Sequence, residues 1–364
     1  MSLKLRFLEK LRFGKLIPDK KKQLVGLDIG SNSLKAVEFR SDGNDAYSLV
    51  AYGFEELSPE WIMDGSIVEP TPVSDAINRI FTNQRFQNDQ IVTSISGHSV
   101  IVKKISIHVQ NEKDLAESIR WEAEQHLPFD IDDVNFDFQI TGRNSTTKML
   151  DVLFVAVKKD KIQSYIDVID QAKKTPKIMD VDAFALQNAY EFNYEPEQES
   201  TAALLNIGAN NMMINLVSGT EFLFTRDISV GGQRYTEFLQ KEFNLSYDQA
   251  QAIKHGDTID NVSDADIKYV VDSVTEIICM EIQKTFDFFK STSTVKKIDR
   301  ILVSGGAVHI HGLLDALGNS FDIPVEEFDS FRRIHVDTKR FPMIKEQAAD
   351  MAIAVGLALR SDEA

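Results

Sequence analysis

Gly26-Leu27-Asp28-Ile29-Gly30-Ser31-Asn32-Ser33-Leu34-Lys35-Ala36-Val37 returns, blurred, as Leu204-Leu205-Asn206-Ile207-Gly208-Ala209-Asn210-Asn211-Met212-Met213-Ile214-Asn215. Leu27, Ile29, Gly30 and Asn32 align with Leu205, Ile207, Gly208 and Asn210, and Asp28 aligns with Asn206. Each copy reads as an apolar strand, a tight Gly/Ser/Asn turn and a second apolar strand. The turn residues tolerate unusual backbone angles and leave N–H groups free. Several amides converging in such a turn make a cradle for an anion. Two cradles on two similar halves predict a polyphosphate gripped between the halves.

The 364-residue sequence suits two domains with well-formed cores, at 43% hydrophobic and 26% charged residues. No apolar run approaches the roughly 20 residues that span a bilayer. The opening Met1-Ser2-Leu3-Lys4 lacks a signal-peptide pattern, so the expectation is a cytoplasmic protein. Cys279 is the one cysteine, and its apolar helical surroundings read as an inert core thiol. A net charge of −16 argues against nucleic acid as a partner. The charge is uneven: in residues 1–22, eight Lys and Arg against Glu9 and Asp19 give +6, leaving −22 for the rest. Leu3, Phe7, Leu8 and Leu11 share helical spacing there, which suits contact with an anionic membrane face or, equally, a solvated tail or a helix packed on its own domain.

Along the chain, strands fill 24–57, a helix follows Pro72, and a buried strand at 91–95 ends in Ser96-Gly97. Residues 99–170 read as an inserted βαββα unit: a strand at 100–107, a helix stopped by Leu127-Pro128, strands at 134–141 and 149–157, and a helix over 159–172. The strand Ile178–Val181 feeds a helix from Ala183, and a polar break at 195–200 opens the second half. That half has strands to Val230-Gly231-Gly232, helices over 233–290, the strand 301–303 entering Ser304-Gly305-Gly306-Ala307, and a closing helix at 347–359.

In the first hairpin, the amides of Gly30 to Ser33 and the hydroxyls of Ser31 and Ser33 suit terminal phosphates, and Asp28 suits Mg²⁺ held through water. Gly305, Gly306 and Ala307 let backbone approach a flat ligand such as adenosine. Lys35 either reaches a phosphate or points into solvent. No Walker sequence, Gly-x-Gly-x-x-Gly, Gly-x-Ser-x-Gly or His-Glu-x-x-His occurs, and His309-Ile310-His311 reads as a loop feature.

The order hairpin, strand–helix, hairpin, Gly-Gly resembles the actin-like ATPase superfamily, which includes actin, FtsA, sugar kinases and heat-shock chaperone ATPases. In that superfamily the hairpins are phosphate loops and the double glycine is the adenosine loop. Glu117-Ser118-Ile119-Arg120-Trp121-Glu122-Ala123-Glu124-Gln125-His126-Leu127-Pro128-Phe129, Val134-Asn135-Phe136-Asp137-Phe138, Val181-Asp182-Ala183-Phe184-Ala185-Leu186, Gly231-Gly232 and Glu281-Ile282-Gln283-Lys284 narrow the likeness to the PilM family of type IV pilus assembly proteins. The resemblance runs from about residue 24 to the C-terminus.

It implies an α/β, actin-like (ribonuclease H-like) two-domain fold with an inserted βαββα subdomain placed as in FtsA. The boundaries expected are a basic tail at 1–22, a first domain at 23–98 completed by about 171–200 and 344–364, the insertion at 99–170, a second domain at 201–232 and 298–343, and a helical subdomain at 233–297. The resemblance also implies an ATP- and Mg²⁺-binding scaffold, cytoplasmic and peripheral at the inner membrane. It would dock the cytoplasmic tail of the inner-membrane protein PilN against the insertion, with other pilus inner-membrane or motor components as further partners. The strand at 100–107 and the helix at 112–126 are the candidate walls.

The nucleotide set carried over from the likeness is Asp28, Gly30, Ser31, Asn32, Ser33, Lys35, Asn206, Gly208, Ala209, Asn210, Gln251, Lys254, Gly305, Gly306 and Ala307. Two positions depart from the pattern. Asn206 stands where aspartate is usual, and Gln251 replaces the acid of the Ala-Glu-x-x-Lys segment that touches ribose; both favour binding over turnover. Asp180 stands where relatives orient the attacking water, with Asp182 in reserve; either serves equally as a helix N-cap. Turnover is therefore expected to be slow at most. A small-molecule kinase and an FtsA-like filament former are the alternatives. The first lacks a convincing base, and the second is at odds with an acidic C-terminus.

Overall fold

The structure is a computed structural model that describes residues 4–5, 22–108, 115–144, 149–259 and 262–362. Most of the basic tail, with its expected amphipathic spacing, lies outside the described residues. The first lobe runs β1 (Lys4–Leu5), β2 (Lys22–Gln23), β3 (Val25–Ile29), β4 (Ser33–Gly43), β5 (Ala46–Glu56), the small hairpin β6 (Ile62–Met63) and β7 (Ser66–Ile67), α1 (Pro70–Gln84) and β8 (Gln90–Ile95). The inserted segment follows as β9 (Val100–His108), α2 (Leu115–Glu124), β10 (Val134–Asn144), β11 (Met149–Lys158) and α3 (Lys159–Gln171). The chain returns through β12 (Thr175–Val181) and α4 (Asp182–Tyr194).

The second lobe comprises β13 (Thr201–Ile207), β14 (Met212–Ser218), β15 (Glu221–Ile228), α5 (Gln233–Phe243), α6 (Tyr247–Lys254), α7 (Asp264–Thr292), β16 (Arg300–Ser304), α8 (Leu313–Ser320) and β17 (Val325–Glu327). The chain then ends with α9 (Ala352–Ala358) and β18 (Ser361–Asp362). The regular closing helix is thus shorter than its apolar run, because 342–351 adopts turns instead.

The two main sheets share one topology. The first is ordered β1-β12-β8-β3-β4-β5 and the second β15-β14-β13-β16-β17. In each, three antiparallel strands made by consecutive hairpins are followed by parallel strands reached through helices. The repeated phrase of the sequence is the first hairpin of each sheet.

Between the sheets lies a shared core. Leu24 just before β3, Val37 and Ile178 from the first sheet and Leu204, Met213 and Leu302 from the second bury against Ala185, Leu186 and Ala189 of α4 and Ile353 and Val355 of α9. The contact is close enough to require glycine. A Cβ on Gly356 of α9 would lie 1.7 Å from the Ala185 carbonyl oxygen, and one on Gly26 of β3 would lie 2.2 Å from that of Ala354. Asn215 also donates from Nδ2 to the Ala183 carbonyl at 2.7 Å, tying α4 to the second sheet. Outer cores complete each lobe, α1 and α3 on the first sheet and α7 and α8 on the second.

The insertion carries a three-stranded sheet ordered β10-β11-β9. Its central strand is buried on both faces. Leu153, Val155 and Val157 join the first-lobe core, while Val152, Phe154 and Ala156 pack beneath Ile119 of α2. Strand alternation sends successive side chains to opposite faces, so β11 stitches the insertion to the lobe. Ile162, Tyr165, Val168 and Ile169 of α3 lie in that first-lobe core too.

Candidate functional site

The two repeated turns close in the same way. Gly30 N–H donates to the Ser33 carbonyl at 3.0 Å, and Gly208 N–H donates to that of Asn211 at 2.9 Å. Around the second turn the chain is crowded by design of sequence. Gly232 N–H donates to the Gly208 carbonyl at 2.9 Å and Gln233 N–H to that of Ala209 at 2.7 Å, so α5 begins directly on the turn. A Cβ on Gly231 would sit 2.5 Å from the Ala209 carbonyl oxygen. Gly305, at φ +86°, lies over the same strand end, where a Cβ would stand 2.6 Å from the Ile207 carbonyl oxygen. Left-handed φ and close approach together demand glycine there. Asn206, Gly208, Ala209, Gly305, Gly306 and Ala307 therefore form one neighbourhood. Ser304 Oγ donates to Asn206 Oδ1 at 3.3 Å, and Asn210 occupies the half-buried turn between the strands.

At the first turn, Asp28 is buried and faces Lys35, its register partner on β4, with Nζ 3.4 Å from Oδ2. Ser31, Asn32 and Ser33 are half-buried. Asn32 Nδ2 donates to the Tyr247 hydroxyl at 3.3 Å, and Gln251 Nε2 donates to the same oxygen at 2.5 Å. The first turn is thereby joined to α6 of the other lobe. On α6, Lys254 is 8% exposed and donates to Thr236 Oγ1 at 3.3 Å. Among the described residues no carboxylate pairs with it, and burial alone pulls its pKa from 10.5 down to about 8. A desolvated ammonium with one hydroxyl partner is a demand for an anion.

The two aspartates near the start of α4 differ in place. Asp180 is wholly buried, and its Oδ2 lies 2.5 Å from an Arg360 guanidinium nitrogen at the end of the chain. Burial raises its pKa, with Arg360 opposing. Asp182, the first residue of α4, lies instead within electrostatic reach of Asp28 and Asp227. Desolvation first, then Asp28, push its pKa up to about 7, against the Ser94 and Ser96 side chains. Asp180, the expected water-orienting residue, is thus committed to Arg360, whereas the reserve residue stands beside Asp28. Lys161 of α3 is buried near Asp182 as well and donates to the Gly65 carbonyl. Among the described residues no group of three or more His, Cys, Asp and Glu is arranged as a metal cage. The Asp28 carboxylate suits a Mg²⁺ whose remaining ligands are water and phosphate.

A second site adjoins the first. A cavity of about 480 Å³ is lined by Ser96–His98 and Val181–Ala183 of the first lobe, Val100–Lys103, Pro128 and Phe129 of the insertion, and Met213, Thr225 and Asp227 of the second lobe. Its rim is pinned across the lobes. Gly97 N–H donates to Asp227 Oδ2 at 3.0 Å, His98 Nε2 lies 3.1 Å from Ser229 Oγ, and Lys104 Nζ pairs with Glu221 at 2.6 Å. Of the two walls expected from the sequence, β9 lines this cavity, and among the described residues α2 does not. Instead the turn after α2 contributes, through Pro128 and Phe129. Asp227 carries no local sequence signal for its placement, and Tyr247 only the faint one of a capping box; both depend on contacts made across the lobes.

The chain is similar to the structure of a PilM-PilN type IV pilus biogenesis complex at 26% identity and TM-score 0.84, covering 94% of this chain and 100% of that one. The ethanolamine utilization protein EutJ from Carboxydothermus hydrogenoformans is similar in fold, at 14% identity and TM-score 0.55 over 94% and 90% of the two chains. So is MreB 5 of Spiroplasma citri bound to AMPPNP, at 12% identity and TM-score 0.51 over 93% and 95%. These neighbours give the actin-like ATPase fold, and no helix among the described residues is long and apolar enough to cross a membrane. The model of the family "Type IV pilus assembly protein PilM" matches residues 26–362, and the chain belongs to that family.

Proposed function

We propose that this chain is an ATP-binding scaffold of type IV pilus assembly whose nucleotide state is coupled to the docking of a partner peptide. The triphosphate would lie between the turns at Gly30–Ser33 and Gly208–Asn211, with Lys254 supplying positive charge, Gly305–Ala307 facing adenosine and Gln251 facing ribose. Asp28 would hold Mg²⁺ through water, and the metal would offset phosphate charge. Asp182 is placed better than Asp180 to orient a water, so any hydrolysis would depend on it. Lobe closure around a ligand needs no new machinery, since the α4–α9 layer already joins the sheets.

The peptide would be the cytoplasmic tail of a PilN-like inner-membrane protein, seated in the 480 Å³ cavity with apolar anchors against Val100, Val102 and Phe129. The PilM-PilN complex supports that partner class. One observation carries the coupling: the cavity is walled by both lobes and the insertion at once, and one of its lining residues, Asp182, is within electrostatic reach of Asp28. Any ligand that shifts the lobes must therefore change the cavity. The setting follows: cytoplasmic, and peripheral at the inner membrane through the partner.

Calorimetric titration of the full chain with such a tail peptide, with and without Mg-ATP, tests the reading. Peptide affinity should differ at least fivefold between the two conditions, and Phe129→Ala should weaken it about tenfold, as loss of an aromatic anchor does. Equal affinities in both conditions would refute the coupling. No effect of Phe129→Ala would move the peptide elsewhere.

A further inference from the structure

The α4–α9 layer is not the only crossing between the lobes. Besides that layer and the contacts at the cavity rim, one runs through a single phenol, from Asn32 in the first phosphate-type turn to Tyr247 at the start of α6 and on to Gln251 one turn later. We infer that Tyr247 is the gate through which nucleotide exchanges, a bridge between the lobes that must part before ligand passes. This rests on the ATP-binding reading above.

Four observations support it. First, the hydroxyl accepts from both amides at once, at 3.3 and 2.5 Å, so it joins the lobes by side chains alone. Second, α6 is built to hold that residue's backbone still. Ser246 Oγ accepts from Gln249 N–H at 3.2 Å and Gln249 Oε1 accepts from Ser246 N–H at 2.9 Å, a reciprocal cap that fixes the residue between them. Third, Asn32 Oδ1 and Gln251 Oε1 are buried, with no hydrogen-bond partner among the described residues. Buried acceptors left in this way on either side of one phenol are unusual, and a ligand carrying hydroxyl donors would satisfy them. Fourth, α6 also carries Lys254 at its other end, so the helix that meets the first turn through Tyr247 holds the buried ammonium as well.

A side-chain bridge that must part before ligand passes slows entry and exit equally. Removing it should speed both and leave affinity almost unchanged. A residue that simply touches nucleotide would behave differently, since its loss would raise the dissociation rate alone. A purely structural residue would lower the melting temperature and leave both rates as they were.

The test is stopped-flow fluorescence on the full chain with Mg²⁺ and 2-aminopurine ribonucleoside triphosphate, comparing wild type, Tyr247→Phe and Tyr247→Ala, with melting temperatures recorded alongside. Loss of a neutral hydrogen bond predicts association and dissociation rates each raised about fivefold, with Kd within about twofold, in both variants. Unchanged rates in variants that melt like wild type would overturn the gate while leaving the ATP site intact. A rise in dissociation alone, with weaker Kd, would also overturn it and make Tyr247 an ordinary contact. Failure of wild type to bind would remove the ATP reading, and the gate with it.

Discussion

Replacing Lys254 by methionine should stabilise the ligand-free protein and destroy its response to ATP. The lysine is 8% exposed, and its pKa falls from 10.5 to about 8 through burial alone. That displacement corresponds to about 3 kcal/mol of unfavourable free energy in the charged form, at about 1.4 kcal/mol for each tenfold change in the proton equilibrium. Methionine fills similar volume without the charge. Against the gain stands the lost hydrogen bond to Thr236 Oγ1, worth about 1 kcal/mol. A net stabilisation of about 1–2 kcal/mol remains.

The pH dependence has a definite sign. Between about pH 8 and 10.5 the unfolded chain binds the lysine proton and the folded chain releases it, so wild-type stability rises with pH across that window. Lys254→Met should lack this rise. Saturating Mg-ATP, at about 100 times Kd, should stabilise wild type by about 2.7 kcal/mol and the variant by nothing. Thermal melts at pH 7.5 and pH 9.5, with and without Mg-ATP, read all of this. A variant that melts below wild type without nucleotide, or that still gains stability from Mg-ATP, would refute the view of Lys254 as a strained anion-binding ammonium.

Other substitutions test neighbouring parts. Asp182→Asn should abolish Mg-dependent hydrolysis while leaving ATP binding within about threefold, measured by phosphate release and calorimetry. Asp180→Asn should instead cost about 3 kcal/mol of stability by denaturant titration, because it removes the fully buried partner of an ion pair with Arg360. Asn206→Asp should raise hydrolysis by adding negative charge for Mg²⁺, and a flat or lower rate would contradict the account of that position. Gly356→Val cannot fit without parting α4 and α9, since even a Cβ would lie 1.7 Å from the Ala185 carbonyl oxygen; unfolding at wild-type denaturant concentration would contradict the close-packed layer.

The hairpins were readable because everything they need is local. Alternating apolar residues set each strand, Gly-Ser-Asn or Gly-Ala-Asn sets the turn, and the same i to i+3 hydrogen bond closes both copies. The glycine pairs at 231–232 and 305–306 were readable for a related reason, as both relieve crowding against one strand end. What stayed hidden depends on distant partners. Asp180 and Asp182 sit two residues apart beside the same helix start, and composition cannot say which one meets Arg360, 180 positions later in the chain. Tyr247 had a faint mark in Ser246-x-x-Gln249, a capping box that fixes its backbone, but nothing nearby announces Asn32. The cavity was legible only in part: β9 was expected as a wall, while Asp227 and Met213 arrive from the second sheet.

The most direct measurement is a crystal structure of the full chain grown with Mg²⁺ and a non-hydrolysable ATP analogue. The account predicts the triphosphate between the amides of Gly30–Ser33 and Gly208–Asn211, with Lys254 Nζ within hydrogen-bonding distance of the ligand. Nucleotide bound anywhere else, with those two turns contacting no phosphate, would contradict it.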